Sequence, residues 1–137
     1  MKKIVLLFII PLLFISCEKV YINGDLDGMW KLHEVEETDT VYNPTNITYS
    51  FQRHLVMLGE HLEVGFPNYY LAQFDKEGDR LVMSGFYKWP VSEGFCDKEE
   101  LKKYFIFTDT VSFVVETLNE DVLVMRDGGR IYKFLKW

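Results

Sequence analysis

Val111-Ser112-Phe113-Val114-Val115-Glu116-Thr117-Leu118-Asn119-Glu120-Asp121-Val122-Leu123-Val124-Met125-Arg126-Asp127-Gly128-Gly129-Arg130-Ile131-Tyr132-Lys133-Phe134-Leu135-Lys136 is the stretch that decides the fold. Apolar side chains recur at about every second position in three runs, 111–118, 121–127 and 130–136. That period belongs to a β-strand, whose successive side chains point to opposite faces. Asn119-Glu120 joins the first two runs and Asp127-Gly128-Gly129-Arg130 the last two. Paired glycines accept the positive φ that tight hairpin turns need. Val111, Phe113 and Val115 share one face while Ser112, Val114 and Glu116 take the other, so one face is buried and one is wet.

The same period continues upstream, over 29–37, 46–58 (two strands or a bent one), 68–75 and 80–88, with Asp75-Lys76-Glu77-Gly78-Asp79 as the turn between the last two. Ile47, Tyr49 and Phe51 share one face, and Thr48, Ser50 and Gln52 the other. One segment breaks the pattern. Residues 97–105 offer an N-cap at Asp97, Glu100 three residues on, and Leu101, Tyr104 and Phe105 at helical spacing, which predicts a short helix. Glu99 and Lys103 form a favourable i,i+4 pair there while Lys98 and Lys102 repel, so docking of Leu101 and Phe105 onto the sheet is expected to hold it. The class is all-β: an antiparallel up-and-down barrel of about 7–8 strands, because a sheet closed on itself leaves no edges to protect.

A chain of 137 residues, 48% hydrophobic and 26% charged, suits one compact domain and excludes disorder or a coiled coil. Its 15 basic and 21 acidic residues give a net charge of -6 with no Lys/Arg-rich stripe, so nucleic acid is not an expected partner. Residues 1–16 read as a signal peptide: Lys2 and Lys3 precede the uncharged run Ile4–Ile15. That run falls short of the about 20 apolar residues a spanning helix needs, and Pro11 interrupts it. Phe14-Ile15-Ser16-Cys17 resembles the lipobox of bacterial lipoproteins, with Phe14 where leucine is usual. The resemblance implies that Cys17 receives diacylglycerol and becomes the new N-terminus, that 17–25 is the lipidated cysteine and tether, and that 26–137 is the domain. It also implies a lipid-anchored protein of the cell envelope, at the outer membrane, with the membrane as a partner through its lipid. Loss of Lys2 and Lys3 leaves a net charge of -8, and acylation of Cys17 leaves Cys96 as the sole thiol, so no intramolecular disulfide is expected.

Leu26-Asp27-Gly28-Met29-Trp30-Lys31-Leu32 resembles the Gly-x-Trp opening of the lipocalin-like lipoproteins of Gram-negative bacteria, and Phe113–Met125 with Tyr132–Leu135 resembles their closing hairpins. The resemblance implies a lipocalin-like barrel in which Trp30 plugs the closed end and Gly28 admits a neighbouring chain. Lipocalins proper carry a late arginine that stacks on this tryptophan. Here the late positions hold Lys133 and Lys136, and an ammonium replaces a planar guanidinium only in part. The 97–105 helix also precedes the last three strands rather than following the barrel.

No catalytic residue and no cofactor motif emerges, and the protein is not expected to be an enzyme. His33, His54 and His61 fit no zinc spacing with Cys96, so no metal site is expected. Cys96 has an acidic neighbour, Asp97, and nothing that would lower its pKa. Glu34, Glu36, Glu37 and Asp39 read as a solvated acidic face, and Asp75-Glu77-Asp79 stops short of a calcium loop. The aromatics are left. Trp30, Tyr49, Phe51, Phe66, Tyr69, Tyr70, Phe86 and Trp89 are the candidate contacts for a small hydrophobic or amphipathic ligand, with Phe66, Tyr69 and Trp89 at an open mouth. The alternative is a non-enzymatic accessory lipoprotein whose barrel is solid and docks another envelope protein.

Overall fold

The computed structural model describes residues 22–90 and 96–137, so the expected signal peptide and Cys17 lie outside the described residues. The described residues form nine strands: β1 (Gly28–Glu36), β2 (Val41–Tyr42), β3 (Ile47–Gln52), β4 (Leu55–Glu60), β5 (Asn68–Glu77), β6 (Arg80–Trp89), β7 (Thr110–Leu118), β8 (Val122–Asp127) and β9 (Arg130–Lys136). They form one antiparallel sheet in the order β2-β1-β3-β4-β5-β6-β7-β8-β9, and β1 also pairs with β9. That last pairing closes the ring and makes the sheet a barrel. The ninth strand, β2, is a two-residue addition to the end of β1, where Val35 and Glu36 pair with Tyr42 and Val41. Residues 46–58 resolve into β3 and β4, joined at Arg53-His54 with Arg53 in the left-handed region at φ 57°.

Alternation sets the interior. Trp30 and Leu32 from β1, Tyr49 and Phe51 from β3, Val56 and Leu58 from β4, and Tyr132 and Phe134 from β9 are all at most 1% exposed. Bulges at Leu32/Glu34, Leu71/Gln73 and Val115/Thr117 bend three strands and restore the inward phase beyond each one.

The predicted helix is shorter than expected. α1 (Lys98–Leu101) passes into a 3-10 turn, Lys102–Tyr104, and Phe105 ends it with φ 62°. The Asp97 carboxylate caps it, accepting from Glu99 N at 2.9 Å. Glu99 pairs with Lys102 at 2.9 Å, and Lys103 reaches across to Glu60 at 3.7 Å instead of forming the expected pair with Glu99. Leu101 and Tyr104 are buried and Phe105 is half-buried, packed on the core. This segment caps the end of the barrel where β1 and β4 finish; the opposite, near end carries the β3–β4 turn and the start of β1.

The outer surface is divided. Around β1, β7, β8 and β9 it carries ion pairs, among them Lys133–Glu34 and Arg126–Glu116, both at 2.7 Å. On β3 to β6 it holds an uncharged block, with Asp75, Glu77 and Arg80 lying beyond it toward the β5–β6 turn. One row of neighbours in register runs Met29, Ser50, Met57, Leu71, Tyr87. Beside it on the cap side lies the row Thr48, Gly59, Tyr69, Trp89, and on the near side Gln52, Leu55, Gln73, Ser84. Lys31 and Asp75 border the block.

Candidate functional site

In a lipocalin-like ring the site to examine is the lumen with its two ends. At the near end, Trp30 lies across the axis and its indole N–H donates to Leu26 O at 2.8 Å. Lys136 Nζ sits 4.3 Å from the centre of the Trp30 ring and donates to Asp25 O at 3.1 Å and Asp27 O at 2.6 Å. Gly28 makes this possible: its φ is 118°, and a Cβ there would stand 2.9 Å from Lys136 Nζ. The buried Asp27 carboxylate accepts from Asn23 N at 3.1 Å and Asn23 Nδ2 at 2.7 Å, and Asn23 Nδ2 also donates to Arg53 O at 2.9 Å. The start of the chain is thus fastened beside the β3–β4 turn.

The other end is closed by phenols. Buried tyrosine hydroxyls need partners, and here the cap supplies them. Tyr49 donates to Tyr104 O, and Tyr132 to Phe105 O at 2.7 Å. In return Tyr104 donates to Asn68 O at 3.1 Å. Tyr70 donates to Glu100 Oε2 at 2.5 Å, and the other oxygen of Glu100 takes Lys88 Nζ at 2.9 Å. Burial pushes the Tyr49, Tyr104 and Tyr132 phenols well above their usual range, and burial and then Glu100 do the same to Tyr70. They act as neutral donors. The Glu100 carboxyl is held below the usual range by the Tyr70 hydroxyl and then by Lys88.

Between the two closures the lumen is filled. Tyr49 packs on Phe134 with ring centres 4.9 Å apart, Phe51 on Phe74 at 5.1 Å, and Phe113 on Tyr132 at 5.2 Å. Of the candidate contacts, Trp30, Tyr49, Phe51, Tyr70 and Phe86 join this one cluster. Tyr69 and Trp89 are cross-strand neighbours on the outside, with Trp89 53% exposed. Phe66 stands apart on the β4–β5 loop at 92% exposure, next to Val64 at 88%.

Sequence reasoning missed Tyr104 and Tyr132 as parts of the site. Tyr104 carried a usable signal, its helical spacing from Leu101; Tyr132 looked like any inward strand residue. A cleft of about 410 Å³ opens outside the cap, lined among others by Leu101, Lys102, Ile106 and Phe107, and another of about 360 Å³ lies between residues 37–40 and Gly129-Arg130. Neither lining includes Tyr49, Tyr132 or Phe134; Arg130, at the start of β9, reaches the second cleft from the capped end. Burial and then Asp109 raise the Cys96 thiol, which is the state of a structural cysteine rather than a nucleophile. His61 shares a hydrogen bond with Thr48 Oγ1 at 3.0 Å and lies against Trp137, with ring centres 5.2 Å apart.

A single antiparallel ring with a tryptophan-sealed end defines a lipocalin-like protein. The chain belongs to the lipocalin-like domain family, whose profile matches residues 12–137. Its fold is similar to that of a lipocalin-like protein from Bacteroides uniformis, with a TM-score of 0.68 and 23% identity over 83% of this chain and 100% of that one. It is likewise similar to an uncharacterized protein from Bacteroides eggerthii, with a TM-score of 0.66 and 22% identity over 82% of this chain and 99% of the other. No curated protein matches the sequence.

Proposed function

We propose that this is a lipid-anchored, non-enzymatic accessory lipoprotein of the cell envelope, held at the outer membrane through Cys17, whose solid barrel docks another envelope protein. The observation that carries this reading is the filled lumen. A ligand on the axis would have to displace Trp30, Tyr49 and Tyr132, none more than 1% exposed, and unfasten the cap. Docking is supported by the β4–β5 loop, whose Val64 and Phe66 project almost fully into solvent at the capped end, away from the tether. A photocrosslinking side chain in place of Phe66 tests it in intact cells. One reproducible adduct is expected, abolished by Val64→Asp; absence of any adduct would refute docking through this loop. The anchor is tested separately: Cys17→Ser should shift the protein from the membrane to the soluble fraction, and unchanged attachment would refute lipidation.

Binding of a small hydrophobic or amphipathic ligand is a second reading, favoured by the cleft of about 410 Å³ outside the cap, which lies within the usual range of ligand sites. Saturable uptake of a fluorescent fatty-acid analogue, weakened by Phe107→Ser, would support that cleft over the solid-barrel reading; no uptake would dismiss it.

A further inference from the structure

The uncharged block on the outer wall of β3 to β6 is used neither by the lumen nor by the docking loop. Its middle row, from Met29 through Met57 and Leu71 to Tyr87, is half-buried side chain against side chain, and Leu55 and Trp89 at its margins are 46% and 53% exposed. Leu55 and Gly59 are four residues apart, about 14 Å of strand, and β3 to β6 span three inter-strand spacings, again about 14 Å. With side chains included the wall covers on the order of 300 Å², the scale at which the largest apolar patch of a monomer is commonly functional. In a chain whose net charge is -6, a block of thirteen outward positions without a charge calls for an occupant that dislikes charge.

The start of the chain says which occupant. Asn23 is fastened to Arg53 at the β3–β4 turn, on the edge of this wall and two residues from Leu55. Cys17 and Ile22 are five residues apart, so the linking chain spans at most about 18 Å whatever its course. We infer that the outer wall of β3 to β6 lies against the lipid interface in which the acylated N-terminus is embedded; the inference rests on the lipid anchor proposed above. A domain held this close to a bilayer meets it continually. Turning the face of Glu34, Lys133, Glu116 and Arg126 to the lipid would strip charges of water, whereas the thirteen positions of the block carry no charge to desolvate. Tyrosine and tryptophan, with apolar rings and a polar atom, favour the headgroup level, and Tyr69, Tyr87, Trp89 and Trp137 supply them.

The test uses the full, lipid-modified chain in phosphatidylcholine vesicles brominated at shallow or deep acyl positions. Trp30 is sealed in the lumen, so quenching reports Trp89 and Trp137. Shallow bromines are expected to quench about twofold more than deep ones, and Met57→Asp should remove about half of that quenching while the protein stays vesicle-bound. Gln73→Asp, at an exposed wall position where folding is not at risk, should act in the same direction, and thermal melting identifies a variant that has unfolded. Vesicle-bound protein with no quenching, or quenching unchanged in both variants, overturns the wall and leaves the anchor standing. Wild-type protein that does not sediment with vesicles overturns anchor and wall together. A dimer in detergent that Met57→Asp dissolves assigns the wall to a second copy and overturns the lipid contact.

Discussion

At the residue scale, Lys136 performs a double task at the near end of the barrel. Its ammonium answers the carbonyls of Asp25 and Asp27 and lies over the Trp30 ring, where lipocalins proper have an arginine. The sequence placed a lysine at this late position, and its two carbonyl partners explain why a point charge suffices: they are met by separate N–H groups, with the ring left to the cation. Lys136→Met removes a charged donor from two carbonyls and is expected to cost about 1–3 kcal/mol, read as a lower urea midpoint, whereas Lys136→Arg, which keeps the cation and its donors, should lose much less. Gly28→Ala is expected to cost about 1–3 kcal/mol as well, because its φ of 118° is a strained conformation for any residue with a Cβ. Part of that loss should vanish in the Lys136→Ala background, where both atoms the new Cβ meets, Nζ at 2.9 Å and Cε at 3.0 Å, are gone; strict additivity in a double-mutant cycle would contradict the contact.

At the scale of elements, the cap is the part whose stability follows pH. The Glu100 carboxyl is lowered by its bonds to Tyr70 and Lys88, so the stabilisation is complete above the unfolded carboxyl's pKa and fades as pH falls through the lower folded value. Amides of 101–106 should therefore exchange faster in acid, and Glu100→Gln should lose stability near neutrality while converging on the wild type at low pH. A wild-type cap indifferent to acid would refute the assignment. The elements also show what was legible beforehand. β7, β8 and β9 were readable because alternation and Gly128-Gly129 agree, and the Asp97 cap because its carboxylate acts locally, on Glu99 N. β2 was invisible because Val41 and Tyr42 are exposed and leave no burial pattern. The Arg53-His54 turn carries none of the usual turn residues, and its left-handed arginine is held by Asn23 from far along the chain. Of the site, the interior aromatics could be picked out by period alone. That Tyr49 and Tyr132 would bond carbonyls of the cap could not, since those pairs lie 55 and 27 residues apart and exist only once the ring is closed.

For the whole molecule, lumen, cap and near-end plug form one core, so heat should unfold it in a single transition by far-UV and near-UV signals alike. A cap that melts first by near-UV would separate it from the barrel and reopen the lumen to ligands. The seam between β1 and β9 has a further consequence, for biogenesis. β1 waits for β9, so a nascent chain that still lacks residues 130–136 is an open sheet with two raw edges, prone to pair with strangers. A stop codon before Arg130 would make that condition permanent, and the truncated product is expected in aggregates or in the grip of a chaperone rather than as a smaller barrel.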